Sequence, residues 1–185
     1  ALNQAQMTSD AFLVMPTDVL GNDYYVMTYN SDSRYIANNS KTPSQFAVVA
    51  VEDSTLVTIK PSAPTYFNRM NTQNVVLNKG ECYLVQALID DGNTSGDMTG
   101  TKIKSNKPIA VFAGHQRATV PIYVFSGGNP SRDCLISQML PLKAWGKNAF
   151  LVPYVQEPDQ TPVGSDLYRI LAAYDSTHLY IDSSY

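Results

Sequence analysis

The sequence predicts an all-β protein made of tandem related β-sandwich-like modules, of which the second is incomplete. Three observations lead to this fold class. Tyrosine is abundant, with 12 residues among 185, and β-branched residues are frequent, which favours strands. Short apolar runs alternate with turn-forming residues, and no stretch has the period of a long amphipathic helix. A strand–turn–strand pattern from the first third of the chain also returns close to its end.

Each copy of this repeat has the same turn between two strand-like runs. Residues 47–59 read AVVAVEDSTLVTI, and residues 169–181, 122 positions later, read RILAAYDSTHLYI. The triplet Asp-Ser-Thr begins at Asp53 in the first copy and at Asp175 in the second. These residues favour turns because their short side chains hydrogen-bond to nearby backbone groups. We therefore expect the shared residues to shape the backbone and not to perform chemistry.

A second block lies upstream in both copies. Residues 16–21, PTDVLG, precede a predicted strand at 24–29, and residues 141–146, PLKAWG, precede a predicted strand at 149–154. The offset here is 125 positions, so one shorter loop accounts for the difference. Matched blocks in a fixed order indicate structural duplication. A period of about 120 residues exceeds a solenoid repeat or one propeller blade, and it suits a sandwich-like module.

The repeat predicts two domains of unequal completeness. Residues 1–134 would form a first β module with a lead-in and long loops, and residues 135–185 a partial second copy packed on the first. Because an unfinished sandwich leaves an unpaired edge and an uncovered core face, we expect the chain to be a piece of a longer protein. A propeller-like arrangement of four-stranded sheets is the structural alternative.

Composition excludes several classes of function. Hydrophobic residues make up 44% of the chain and charged residues 16%, as in globular proteins. The net charge of −3 comes with no basic patch for nucleic acid. No run reaches the roughly 18 apolar residues that a membrane span needs. We therefore expect a globular protein with no nucleic-acid partner and no membrane span in this chain.

Five motifs occur in an order that is specific to one family. They are FAVVAVEDSTLVTI at 46–59, VVLNKGECYLV at 75–85, SNKPIAVFAGH at 105–115, QMLPLKAWGKNAFLVP at 138–153 and DLYRILAAYDST at 166–177. In this order they resemble the N-terminal domain family of the IgG Fc-binding protein, which has many bacterial relatives. The resemblance implies a secreted or surface-displayed, non-enzymatic module associated with binding and adhesion, in mucus for the animal protein. No segment identifies an antibody-contacting surface, so antibody binding is not carried over.

The cysteines depart from the family pattern. The family tends to carry one cysteine soon after the Gly-His pair and another just before the Leu-Pro stretch. Here no such cysteine follows Gly114 and His115, Cys134 keeps the second position, and Cys82 is extra. This puts the usual local crosslink of the family in doubt. Cys82 and Cys134 either form one disulfide, which would add ~2–4 kcal/mol, or remain buried free thiols, and the sequence leaves both open.

Three aromatic residues are the candidate binding residues. Tyr66 and Phe67 lie in a predicted loop at 61–74, where they would contact a partner or, in the plainer interpretation, cover the edge of the core. Trp145 holds the position that Leu20 holds in the first copy. This pairing favours a core anchor over a platform that stacks on a sugar.

An acidic, glycine-rich segment is the candidate metal site. Asp90, Asp91, Asn93 and Asp97 carry the oxygen ligands that Ca²⁺ prefers. The segment lacks the full spacing and the terminal glutamate of an EF-hand loop, which favours a solvated turn. Calcium is therefore the one cofactor that the sequence brings into consideration.

No catalytic residues are predicted. The two histidines, His115 and His178, have no metal-ligand spacing with the cysteines, and nothing resembles a nucleophile elbow. Glu52, Asp53 and Asp175 offer an acid–base pair for glycoside cleavage, but both aspartates belong to the repeated turn, whose backbone explains them.

The leading functional prediction is an extracellular or cell-surface module for binding or adhesion without catalysis. Its predicted partner is a protein or a glycan, with mucin-like chains among the candidates. The alternative is a structural spacer in a longer surface protein, which the incomplete repeat favours. A hydrolase is the third hypothesis, and it would need His115 or a pair of carboxylates to converge in a cleft.

Overall fold

A computed structural model describes residues 2–5, 8–31, 42–89, 96–120, 132–151 and 167–181. The chain divides into two compact units, Ala1–Trp145 and Gly146–Tyr185. The boundary after residue 134, which the repeat suggests, stays a prediction.

The described residues of the first unit form strands and two short 3₁₀ turns, without an α-helix. The all-β prediction is therefore confirmed. The strands are β1 (Leu2–Ala5), β2 (Thr8–Ala11), β3 (Gly21–Tyr25), β4 (Ser44–Ala50), β5 (Thr55–Lys60), β6 (Gln73–Leu77), β7 (Cys82–Gln86), β8 (Lys102–Ala118) and β9 (Asp133–Gln138). The 3₁₀ turns are Thr17–Val19 and Leu142–Ala144. Tandem sandwich-like modules and their propeller-like alternative stay predictions.

One long strand organises the main sheet. β1 and β2 form a separate antiparallel pair, and the other seven strands form one nearly closed sheet. Its path runs β6–β5–β8–β4–β7, and β3 and β9 also pair with β8. β8 is 17 residues long. Its first half pairs mainly with β3 and β5, and its second half pairs with β4 and β9. The two halves of the sheet are therefore joined through β8.

The sequence predicts a turn at residues 105–108, and this prediction is wrong because the chain stays extended there. The segment is instead the corner at which β8 changes partners. Ser105 is its last residue to pair with β5, and Ile109 is its first to pair with β4. Between them the Ser105 hydroxyl donates to the Lys107 carbonyl at 2.6 Å, and Pro108 has no N–H to offer a neighbour. Turn-forming residues therefore mark the exchange of partners and not the end of the strand.

The core lies on the face of the sheet where every second side chain is buried. In β4, Phe46, Val48 and Ala50 are at most 1% exposed, and the residues between them are half-buried. This alternation follows from the pleat of a strand. The core cluster comprises Tyr24, Val26, Phe46, Val48, Ala50, Val57, Ile59, Ala63, Leu77, Val85, Ala87, Met98, Ile103, Ile109, Val111 and Ala113. Burying one large apolar side chain contributes about 1.5–3 kcal/mol, so this cluster is the main source of stability in the first unit.

Tyr24 places a hydroxyl inside this core. Its side chain is 0% exposed, and the hydroxyl donates to the Ile109 carbonyl at 2.6 Å while accepting the Gly21 N–H at 2.9 Å. The hydroxyl thus satisfies two backbone groups where β3 meets the corner of β8. Burial raises the pKa of Tyr24 above its usual value, and the hydrogen bond from Gly21 opposes this with a smaller effect.

Tyr24→Phe should lower the free energy of unfolding at neutral pH. It should also make that free energy fall less steeply as the pH becomes alkaline. Removing the hydroxyl leaves two buried backbone groups without this partner, which costs about 1–3 kcal/mol. Because the folded state raises the pKa of Tyr24, its contribution is complete below the unfolded pKa of about 10 and is lost as pH rises towards the folded value. Urea unfolding at about pH 7 and about pH 10.5 measures both effects. Tyr66→Phe is the control, and an equal alkaline slope in all three proteins would contradict the expectation.

The two copies of the upstream block have the same local structure. Each 3₁₀ turn follows a proline with nearly the same backbone angles, φ −67° and ψ 160° at Pro16 and φ −64° and ψ 150° at Pro141. Each turn is closed by the N–H of its last flanking residue, Leu20 or Trp145, which donates to the first carbonyl of the turn. The second turn lies over β3, because a Cβ at Gly21 would be 2.6 Å from Pro141 Cβ.

The two Asp-Ser-Thr turns also match. The serine has a positive φ in both, 53° at Ser54 and 58° at Ser176. The threonine hydroxyl donates to the carbonyl three residues earlier at 2.7 Å in both, from Thr55 and from Thr177. Positive φ is uncommon for a residue other than glycine, so its recurrence at equivalent positions supports the internal repeat. The described residues 167–181 of the second unit nevertheless form no strand.

Candidate binding surface

A tight turn between β5 and β6 carries two of the predicted binding residues. Thr65 and Arg69 close it with two backbone hydrogen bonds of 2.9 and 3.1 Å. The Thr65 hydroxyl accepts the Asn68 N–H at 3.1 Å, and Arg69 has a φ of 55°. The N–H of Tyr66 donates to the Gln86 carbonyl at 3.0 Å and ties the turn to β7. The backbone under the aromatic side chains is therefore held both within the turn and from the neighbouring strand.

Both aromatic rings of this turn extend into solvent. Tyr66 is 63% exposed and Phe67 is 83% exposed, and their rings lie perpendicular with centroids 5.0 Å apart. Phe67 also lines a shallow depression with Tyr83 and Leu84 of β7, and Leu84 is 52% exposed. We call Tyr66, Phe67, Tyr83 and Leu84 the apolar patch. It combines a backbone that hydrogen bonds fix in place with exposed aromatic surface.

Trp145 packs against β3. The turn that carries Tyr66 and Phe67 is instead tied to β7. The Trp145 indole N–H donates to the Leu140 carbonyl at 3.1 Å, and the indole ring lies 6.0 Å from that of Tyr25 with a tilt of 48°. The Lys102 ammonium is 5.1 Å from the centre of the Tyr25 ring and donates to its hydroxyl at 3.3 Å. The indole N–H of Trp145 is thus hydrogen-bonded within the chain, although at an exposed position. The apolar patch adjoins β7, whereas Trp145 adjoins β3, so the structure does not gather the three residues in one site.

The two cysteines are not brought together. Cys82 begins β7 and Cys134 lies on β9, and β4 and β8 run between these strands. Adjacent strands lie about 4.8 Å apart, which separates β7 from β9 by about 14 Å, whereas a disulfide needs Cα atoms within about 7 Å. Of the two alternatives, the bridge is not formed, because both cysteines are free; Cys82 is exposed and not a buried thiol.

Most of the candidate metal site lies outside the described residues, namely Asp90, Asp91 and Asn93. Asp97 is described, and one of its carboxylate oxygens accepts both the Thr28 hydroxyl and the Thr99 N–H at 2.9 Å. Within the described ranges, no three side chains of histidine, cysteine, aspartate or glutamate gather as metal ligands. Asp97 thus joins the ends of two loops, and calcium binding stays a prediction.

Two of the residues that a hydrolase would use accept hydrogen bonds from the backbone. His115 is 1% exposed, and its Nδ1 accepts the Arg117 N–H at 2.9 Å. Asp53 accepts the Lys79 N–H at 2.9 Å, which joins the repeated turn to the turn between β6 and β7. Both observations assign backbone contacts to residues that sequence patterns alone would allow in catalysis.

Some exposed apolar side chains are not among the binding residues that the sequence predicts. Leu84 belongs to the apolar patch, and Leu56 and Val76 form an exposed cross-strand pair on β5 and β6, at 42% and 62% exposure. The signal was present in the alternation of each strand, because residues next to an inward side chain point outward. In the part of the chain that the structure describes, no helix is long and apolar enough to cross a membrane.

Comparison with known proteins agrees with the order of motifs. The model of the family described as IgGFc binding protein matches residues 10–184. The chain belongs to this family. It is 31% identical over 156 residues to the IgGFc-binding protein of Homo sapiens. The family resemblance is therefore confirmed, and this IgGFc-binding family is one of binding proteins and not of enzymes.

The match covers a small part of the human relative. The aligned region is 83% of this chain and 2% of the human protein, so the chain spans a minor segment of that relative. No solved structure matches the chain.

Proposed function

We propose that this chain is an extracellular or cell-surface module that binds a protein or a glycan through the apolar patch and carries out no catalysis. The exposed Tyr66–Phe67 pair on its held turn is the observation that carries the proposal. Membership of the IgGFc-binding family supports a protein ligand. The name of the human relative makes the Fc region of IgG the first protein to test.

The geometry of the turn suits a binding hot spot. Tyrosine and other aromatic residues dominate the binding energy of many interfaces because they bury a large area with few rotatable bonds. A turn that is already ordered loses less conformational entropy when a partner binds. The hydrogen bonds of Thr65, Arg69 and Gln86 provide this order before binding. Aromatic rings also stack on sugar faces, which keeps glycans in the same proposal.

A binding screen with matched variants tests the proposal. The full chain is immobilised and exposed to IgG Fc, purified mucin and a glycan array. We expect saturable binding to at least one of these ligands. Replacing Tyr66 and Phe67 together by serine should weaken it at least ~30-fold, because a hot spot contributes about 2 kcal/mol or more. The control replaces Leu56 and Val76 by serine, which removes an exposed apolar pair on another part of the sheet.

The outcomes distinguish binding through the apolar patch from non-specific adhesion. The control variant should bind within about threefold of the unchanged chain. Equal losses in the two double variants would contradict the role of the apolar patch. Absence of binding to every ligand would contradict the binding function itself.

A structural spacer is the second candidate. The repeat of the Pro16 and Asp53 blocks at Pro141 and Asp175 favours it, because arrays of related modules commonly extend surface proteins. A spacer requires no ligand, so the same screen distinguishes the two functions.

A further inference from the structure

The second copy of the repeat exposes residues whose counterparts form the core of the first. Val48, Ala50, Val57 and Ile59 are at most 1% exposed in β4 and β5. Their equivalents by the repeat, 122 positions later, are Ile170, Ala172, Leu179 and Ile181. Ile170 is 60%, Leu179 59% and Ile181 77% exposed, and Ala172 is also exposed. An aliphatic pattern that suits a core thus remains uncovered in the second unit.

The first copy shows which strand pairs with this pattern. Val48 and Ala50 pair with Val111 and Ile109 of β8. Val57 and Ile59 pair with Ser105 and Ile103 of the same strand. β4 and β5 do not pair with one another but follow one another along the same side of β8, opposite β3. One strand therefore bonds both arms of the strand–turn–strand unit.

The need of both arms for a partner strand explains why residues 169–181 form no strand. These residues keep the repeated turn, with its positive φ at Ser176 and its Thr177 hydrogen bond, but they form no strand. A turn held by local hydrogen bonds needs no partner, whereas a strand needs a neighbour to bond its backbone. Among the described residues, no strand pairs with the arms of the second copy.

We infer that residues 169–181 are an acceptor for one extended segment with the pattern of β8. The segment would run along both arms, hydrogen-bond to both, and place its own aliphatic side chains beside Ile170, Ala172, Leu179 and Ile181. The occupant is a polypeptide strand with aliphatic residues at alternating positions on either side of a corner, as Ile103, Ile109 and Val111 are placed in β8. Strand addition of this kind takes affinity from the backbone and specificity from alternate side chains.

A labelled peptide with the sequence of residues 102–118 is the probe. It is titrated into the full 185-residue chain and followed by fluorescence anisotropy. We expect saturable binding with a Kd below about 100 μM. Hydrogen exchange should slow at residues 169–181, because backbone N–H groups enter a ladder there, and exchange at residues 44–60 should not change.

Matched variants locate the contact on the proposed face. Ile170→Asp and Leu179→Asp should each weaken peptide binding at least ~10-fold, because they place a charge among the aliphatic side chains. Tyr180→Asp adds the same charge on the opposite face of the same arm, at a residue that is 88% exposed, and should leave the Kd within about threefold. A peptide with Ile103, Ile109 and Val111 replaced by serine should not bind.

Three results would overturn the inference. The first is a Kd for the peptide that is the same in all three aspartate variants. Another is slowed exchange confined to residues 44–60, which would mean that the peptide exchanges with β8 of the first copy. The third is self-association of the chain that Ile170→Asp abolishes in sedimentation, since a second copy would then cover the face.

Discussion

Gly114→Ala is expected to separate β9 from β8 and to lower the free energy of unfolding by about 3 kcal/mol or more. A Cβ at position 114 would overlap the backbone carbonyl of Leu135 and come within 3.0 Å of Ile136 Cα. Both atoms belong to β9, which pairs with β8 at this point. Because backbone in a ladder cannot rotate aside as a side chain can, the strands themselves must move apart. Urea unfolding measures the loss.

Gly80→Ala is the matched control. Gly80 lies in the turn between β6 and β7 with a φ of +83°, and a Cβ there would meet no atom within 4 Å. Its replacement should cost about 1–2 kcal/mol, through the left-handed backbone conformation alone. A loss at Gly114 no larger than that at Gly80 would show that β9 accommodates the methyl group.

Val48→Asp and Ile170→Asp, at equivalent positions of the repeat, are expected to differ by about 4 kcal/mol or more. Val48 is 0% exposed, and a carboxylate there would be buried without a partner, which is among the most destabilising single changes. Ile170 is 60% exposed, so a charge there stays hydrated and should cost less than about 0.5 kcal/mol. Thermal unfolding followed by near-UV circular dichroism compares the two variants.

The comparison tests the different burial of the two copies directly. Similar losses of stability in both variants would mean that Ile170 is covered in solution. Ala50→Asp and Ala172→Asp offer a second equivalent pair, since Ala50 is 1% exposed and Ala172 is exposed. Agreement between the two pairs would exclude an effect peculiar to one side chain.

Local features of the fold could be predicted from the sequence. The repeated Asp-Ser-Thr and proline blocks indicated turns, and the turns occur at Ser54 and Ser176 and after Pro16 and Pro141. These features depend on side chains and backbone close in sequence, so the residues themselves carry the information.

The pairing of β8 could not be predicted in the same way. Residues 105–108 have the composition of a turn, and only the partners on either side keep the chain extended there. Likewise, the separation of Cys82 from Cys134 follows from the order of strands, which no local pattern encodes. Exposure of the apolar patch depends on β7 lying at the end of the sheet path. Each of these features arises from contacts between distant parts of the chain.

The central position of β8 has a consequence for biosynthesis. β3, β4 and β5 leave the ribosome well before residues 102–118, yet all three take β8 as a partner. Until that strand is synthesised, much of the apolar surface of the nascent chain cannot be buried. This slows folding and exposes the chain to aggregation. The first unit therefore cannot complete its main sheet until residues 102–118 have emerged, and its early strands stay open to capture by chaperones until then.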